Sequence, residues 1–155
     1  MSALAVIRPD SWGLPLFVHI LGAMILVGAL GLSAISLIGA WRSNSPALTR
    51  LGFLSLFYGA IPGWIVMRGG AQWIANKEGL DNDKVDLTWL NIGMSTADAG
   101  FLFLIIATVI GWVALRRIKR DGSGPVIPTR IATGLVSIML VAYLVAVWAM
   151  TVKPT

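Results

Sequence analysis

Four long apolar stretches separated by short polar segments constrain this chain more than any other feature of its sequence. They cover residues 14–41, 51–76, 96–115 and 131–152. About 20 apolar residues in an α-helix cross the hydrocarbon core of a bilayer, which is roughly 30 Å thick. Only 12% of the residues are charged, which is about half the share in soluble proteins. The sequence therefore predicts an all-α, polytopic integral membrane protein in which residues 1–155 form a single four-transmembrane-helix bundle.

The basic residues near the ends of these stretches predict the orientation of the bundle. Lys and Arg gather on the cytoplasmic side of membrane proteins. Here one side collects Arg42, Arg50, Arg116, Arg117, Lys119, Arg120 and Arg130, and the other collects Arg8, Lys77, Lys84 and Lys153 with most of the acidic residues. We therefore expect both termini outside (N-out/C-out), in a bacterial cytoplasmic membrane. We attribute the net charge of +5 to orientation rather than to nucleic-acid binding.

The first predicted helix carries a row of mostly small residues on one face. Positions three or four apart share a helical face. Lipid provides no hydrophobic force between helices, so close approach across small residues is a main source of their association. We therefore expect this row to face the centre of the bundle. Its members are His19, Gly22, Leu26, Ala29, Ser33, Ser36 and Ala40.

The second predicted helix contains a proline among glycines. Pro62 has no backbone N–H and crowds the carbonyl of Tyr58, so we expect a kink near the middle of the membrane. Such a kink serves packing as readily as function. The neighbouring glycines are Gly59, Gly63, Gly69 and Gly70.

Three ionisable side chains lie within the predicted helices, at one predicted depth. Such residues are rare and often functional, because a charge is costly to bury in a bilayer. His19 lies near the start of the first helix, Arg68 near the end of the second and Asp98 near the start of the third. The alternating path brings all three into the outer half of the membrane, and Trp64 shares a helical face with Arg68. We predict a polar pocket between the first three helices, open to the outside.

Each of these residues also has a structural explanation. The segment Ser95-Thr96-Ala97-Asp98 matches a capping box, in which Asp98 would only satisfy the first amide groups of the third helix. Arg68 could extend to the headgroups, or pair with Asp98 for structure alone. His19 could be a hydrogen-bonded packing residue. The sequence leaves these alternatives open beside a ligand site.

The residue inventory narrows the chemistry of such a pocket. One histidine and no cysteine exclude a bis-histidine haem within one chain, a multi-histidine zinc site and thiolate ligation. Haem b remains allowed, with His19 as an axial ligand and Arg68 beside a propionate. Copper(I) also remains allowed, because imidazole and thioether groups bind it. The methionines expected in the outer half are Met24, Met67, Met94 and Met150.

The segment from Leu16 to Gly28, LFVHILGAMILVG, resembles the opening helix of small bacterial membrane proteins in the CopD-like group. This group includes copper-resistance D domains and HemJ-type protoporphyrinogen oxidases, whose first helices also start with a histidine followed by glycine and small residues. The resemblance covers one helix and implies that His19 binds haem or copper. The HemJ pattern also has an intramembrane lysine, for which Arg68 is the nearest substitute here. The resemblance therefore does not favour oxidase activity.

Three functions remain open from the sequence. The leading one is a small membrane protein with a haem or metal site near the outer face, in which His19 is the metal ligand and Trp64, Arg68 and Asp98 complete the site. The second is a structural or accessory subunit of a larger membrane complex, and the third is a conduit for a small solute or ion. No nucleophile is paired with a base, so the sequence favours a non-enzymatic role. The expected partners are membrane lipids and other membrane subunits or further copies of the chain.

Overall fold

The computed structural model describes residues 13–78, 88–121 and 126–152, and these are helical except at Asn44 and Ser45. Within these ranges, four helical units are long and apolar enough to cross a membrane. Each unit extends beyond the apolar stretch predicted for it. The helices are α1 (Gly13–Ser43), α2 (Pro46–Ser55), α3 (Ile61–Glu78), α4 (Thr88–Asp121) and α5 (Val126–Val152), and the π-helical turn Leu56–Ala60 joins α2 to α3 in one unit.

The turn between α1 and α2 follows from its residue types. Asn44 has a φ of 52°, in the left-handed region that Asn tolerates better than most residues. The Oγ of Ser45 accepts a hydrogen bond from the backbone N–H of Leu48 at 3.4 Å and so caps α2. Pro46 begins α2, where its missing N–H costs no helical hydrogen bond. This short turn returns the chain along α1.

The four units form an antiparallel bundle in which consecutive units are neighbours. α1 packs against α2 and α3 on one side and against α5 on the other, and α4 packs mainly against α5. The approach between α3 and α4 is sparser. Fully buried aliphatic side chains fill the middle of the bundle, among them Leu26, Leu30, Leu56, Leu104 and Val136. The bundle is therefore a packed apolar core along most of its length.

The row of small residues on α1 faces the interior of this bundle, as its spacing predicts. Gly22, Leu26, Ser33, Ser36 and Ala40 are buried. α1 and the second unit approach so closely that a side chain at several glycines would overlap the facing helix. These contacts join Gly22 to Met67, Gly59 to Ala29, Gly63 to Leu26 and Gly70 to His19.

The proline in the second unit follows a π-helical turn. The N–H of Ile61 bonds to the carbonyl of Leu56, five residues earlier. Pro62 has no N–H to donate to the carbonyl of Tyr58, so the regular hydrogen-bond ladder is interrupted at this point. The structure therefore has a wide helical turn directly before the proline, and the kink expected from the sequence stays a prediction.

Candidate functional site

A cavity of about 60 Å³ lies at the end of the bundle where α1 and α4 begin and α3 and α5 end. His19 from α1, Arg68 from α3, Met94 from α4 and Tyr143 from α5 all contribute to its walls. The cavity therefore brings His19 and Arg68 together at one level of the bundle. The sequence predicted a pocket between the first three units, whereas α5 supplies a fourth wall.

The imidazole of His19 is held by the backbone of the facing helix. Its Nδ1 lies 2.9 Å from the carbonyl oxygen of Met67. A carbonyl oxygen can only accept a hydrogen bond, so Nδ1 carries the proton and donates it. In the neutral ring the other nitrogen, Nε2, then keeps its lone pair. Histidines that bind metals through Nε2 are commonly fixed by such a bond from Nδ1.

Three methionines from three different helices line the same cavity. They are Met67 on α3, Met94 on α4 and Met150 on α5. Gly93 leaves the space that Met150 occupies, because a Cβ at position 93 would overlap the methionine methyl group. Met24 does not line the cavity and is 68% exposed on the surface of the bundle. Three of the four methionines expected at this depth therefore line the cavity together with His19.

Arg68 contacts α4 through both of its terminal nitrogens. Nη1 donates to the sulfur of Met94 at 3.1 Å, and Nη2 lies 3.4 Å from Oδ1 of Asp98. The Arg68 side chain is 25% exposed and that of Asp98 is 62% exposed. Asp98 does not line the cavity. Arg68 is therefore the charged side chain at the cavity wall, and its carboxylate partner lies outside the cavity.

Trp64 lies outside the cavity and connects α3 to α4. Its Nε1 donates to the carbonyl oxygen of Ala97 at 2.9 Å. Its ring stacks on that of Phe101, with centroids 4.0 Å apart and an interplanar angle of 21°. Since the backbones of α3 and α4 approach each other only sparsely, these side-chain contacts help to position the α4 wall. Trp64 is therefore a positioning residue of the site rather than a lining residue.

Tyr143 is a site residue that the sequence analysis did not single out. It is 4% exposed, and its hydroxyl has no hydrogen-bond partner in the described part of the chain. The hydroxyl packs against Gly100, where a Cβ would overlap it. Tyrosines in membrane helices are enriched at the interfaces. The position of Tyr143 inside a charge-free apolar stretch could therefore have marked it as a candidate site residue.

The capping role that the sequence allowed for Asp98 does not hold in the structure. Asp98 lies ten residues after Thr88, the first residue of α4, so it does not cap that helix. Gln72 shares a face with Arg68 but donates to Asn76 at 3.1 Å near the helix end. The polar face of α3 is thus divided between the cavity wall and a separate exposed pair.

The groups that line the cavity determine what it could hold. Among the described residues, no three His, Cys, Asp or Glu side chains form a group. The available donors are instead one imidazole nitrogen and three thioether sulfurs, which suit a soft metal ion. The cavity volume of about 60 Å³ is large enough for a single ion with a water molecule.

The sequence matches no family model, no curated protein and no solved structure at a significant level. The candidate site is therefore defined by the residues of this chain alone. Its members are His19, Met67, Met94 and Met150 as donors, with Arg68, Asp98, Trp64 and Tyr143 around them.

Proposed function

We propose that this chain is a small integral membrane protein that binds monovalent copper at the cavity. Nε2 of His19 and the sulfurs of Met67, Met94 and Met150 are the proposed ligands. The observation that carries the proposal is the convergence of these four side chains, each from a different membrane-spanning unit, on one small cavity. Each proposed ligand lies within a helix, so the folded bundle itself defines the site.

The chemistry of the donors supports copper(I) over harder cations. Imidazole and thioether groups are neutral and polarisable, and they bind copper(I) well, whereas Mg²⁺ and Ca²⁺ require oxygen ligands. The hydrogen bond from Nδ1 of His19 to Met67 fixes the ring, so that its orientation is set before an ion arrives.

The charge of Arg68 supports a monovalent ion over a divalent one. Coulomb repulsion grows in proportion to the charge of the ion, so the guanidinium opposes a divalent ion twice as strongly. The thioether ligands carry no negative charge to compensate, and Asp98 is 62% exposed. Arg68 lowers the affinity for every cation, and it lowers the affinity for divalent cations more.

We further infer that the cavity end faces the outside of a bacterial cytoplasmic membrane, with both termini on that side. The opposite end of the bundle carries Arg42, Arg50, Arg116, Arg117, Lys119, Arg120 and Arg130. An excess of Lys and Arg marks the cytoplasmic end of membrane helices. In this orientation the copper site is reached from outside the cell.

Silver(I), which is stable to oxidation and resembles copper(I) in its ligand preference, is a suitable probe. We expect the protein purified in detergent to bind one silver ion per chain in equilibrium dialysis. His19→Ala and Met67→Leu should each weaken binding about tenfold or more, since even changes in groups that only orient metal ligands cost 10–100-fold. Met24→Leu is the matched control, because Met24 has the same chemistry but is 68% exposed outside the cavity.

Two results would contradict the proposal. Equal losses from Met24→Leu and Met67→Leu would show that silver binds methionines without regard to the cavity. A wild-type chain that binds no silver would remove the site and leave the accessory-subunit function. The absorption spectrum is a third check: a Soret band that disappears in His19→Ala would favour haem over copper.

A further inference from the structure

The end of the bundle opposite the copper site presents a strongly basic surface. All seven basic residues of this end are exposed. No ion pair joins any of them to another residue within ranges 13–78, 88–121 and 126–152. A surface of this kind attracts anionic groups, and in a membrane protein it lies at the level of the lipid headgroups.

Two arginines of this surface stack on tryptophans: Arg116 stacks on Trp112 within α4, and Arg130 stacks on Trp41 of a neighbouring helix. The guanidinium carbon of Arg130, in the first turns of α5, lies 4.9 Å from the ring centroid of Trp41, near the end of α1. The contact therefore connects two neighbouring helices. A guanidinium stacked on an indole keeps the N–H groups along its edges available, and these match the oxygens of a phosphate in a bidentate arrangement. Trp41 is itself half exposed, so the pair is accessible from the surface.

We propose that Trp41 and Arg130 form a binding site for the phosphodiester of an anionic phospholipid in the groove between α1 and α5. Stacking restricts the arginine before the lipid binds, so less side-chain entropy is lost when the phosphate is bound. The acyl chains of the lipid lie against the exposed apolar side chains of the two helices, which include Ile38 of α1 and Ile131 of α5.

The surrounding charges select the class of lipid. Each Lys or Arg near the surface contributes about 1 kcal/mol of attraction to an anionic membrane. A zwitterionic headgroup carries a cation of its own, which the same surface repels. The site therefore favours phosphatidylglycerol over phosphatidylcholine, although both contain a phosphodiester.

The contact with Trp41 distinguishes a lipid-binding role of Arg130 from a role in the orientation of the protein alone. Orientation depends on the number of positive charges, which lysine satisfies as well as arginine. A site built on stacking and bidentate hydrogen bonding needs arginine itself and needs Trp41. Arg130→Lys therefore separates the two roles, because it keeps the charge and removes the fork of donors.

The test uses the full chain, delipidated in a non-ionic detergent and titrated with dioleoylphosphatidylglycerol, with bound lipid counted by native mass spectrometry. We expect Arg130→Lys and Trp41→Leu each to weaken binding about fivefold, which corresponds to about 1 kcal/mol. Arg117→Lys is the matched control, because Arg117 is an exposed arginine of the same surface. Dioleoylphosphatidylcholine and inorganic phosphate should both bind weakly to the wild-type chain.

Three outcomes would overturn the proposal. The first is wild-type affinity in both Arg130→Lys and Trp41→Leu. The second is a loss in Arg117→Lys as large as that in Arg130→Lys, which would show a diffuse surface without a site. The third is equal binding of phosphatidylcholine and phosphatidylglycerol. Competition by inorganic phosphate at equal concentration would reassign the site to a free anion.

Discussion

In the proposed copper site, selectivity is expected to depend on Arg68, which makes one contact through each terminal nitrogen. One nitrogen donates to the sulfur of Met94 and the other lies beside the carboxylate of Asp98. The first contact fixes the position of Met94, a proposed ligand. The second lowers the free-energy cost of keeping the guanidinium of Arg68 within the bundle. Because Arg68 lines the cavity and Asp98 does not, the guanidinium is the charged group nearest to a bound ion.

Replacing this charge should change which ions the site accepts. In Arg68→Gln we expect the affinity for cobalt(II) to rise about tenfold relative to that for silver(I). If the guanidinium repels a monovalent ion by about 1.4 kcal/mol, it repels a divalent ion by twice as much, so its removal favours the divalent ion by the difference. Arg68→Lys keeps the charge and is expected to keep the discrimination. The measurement is competitive dialysis of the two ions. An unchanged ratio in Arg68→Gln would show that the guanidinium has no part in selectivity.

For individual residues, the sequence predicted the depth of each side chain in the membrane but not the direction in which each helix turns it. Residue counts from the helix ends set the common level of His19, Arg68 and Asp98. They also set the level of the methionines, but Met24 is exposed outside the cavity while Met67 is buried and lines it. The direction of a side chain depends on how each helix turns about its axis when it packs, and that angle is decided by contacts between helices.

At the scale of helices, the site depends on how closely α1 approaches α3. A Cβ at Gly70 would lie 2.5 Å from the backbone nitrogen of His19, and one at Gly22 would overlap the backbone of Met67. Backbone atoms cannot move aside as flexible side chains do. The hydrogen bond from His19 to Met67 therefore exists because glycine is present on both helices at this level.

Two adjacent glycines allow a controlled test of this approach. Gly70→Ala should destabilise the bundle by about 1–3 kcal/mol, as overpacking does, and should weaken silver binding by displacing His19. Gly69→Ala is the control, because no atom lies within 4 Å of a Cβ at that position. It should leave stability unchanged or raise it by up to about 1 kcal/mol, since alanine favours helix. Unfolding by denaturant in detergent measures both variants, and equal stabilities would contradict the proposed packing.

The irregularity in the second unit was predictable in position but not in form. Pro62 removes a hydrogen bond to Tyr58 wherever it occurs in a helix, so the sequence indicates an interruption there. Whether the helix bends, breaks or widens depends on what it packs against. Here the Oγ of Ser55 donates to the carbonyl oxygen of Ala29 at 2.6 Å, and this contact with α1 lies directly before the wide turn.

At the scale of the whole molecule, the two ends of the bundle differ in chemistry. One end contains the cavity with its soft donors, where α3 and α4 are joined largely by the side chains of Trp64 and Arg68. The other end carries the exposed basic surface. Between them, fully buried Leu30, Leu56 and Leu104 fill the interior. This apolar core does not favour a conduit through the bundle and is consistent with a binding role at one face.

The orientation of these two ends can be tested directly, because the chain has no cysteine of its own. We expect a single cysteine at Asn82 to react with a membrane-impermeant thiol reagent in intact cells. A single cysteine at Ser123 should react only after the cells are opened. Both positions lie outside the described residues, and the expectation rests on the distribution of Lys and Arg. The reverse pattern would place the copper site on the cytoplasmic side.

X-ray absorption at the copper edge of the copper(I)-loaded protein tests the central claim most directly, because it reports the atoms bound to the ion. We predict a first shell that combines nitrogen from one imidazole with sulfur from methionines. The nitrogen contribution should be lost in His19→Ala, and the sulfur contribution should fall in Met150→Leu. A shell of oxygen and nitrogen alone, or a spectrum unchanged in both variants, would contradict copper binding at this cavity.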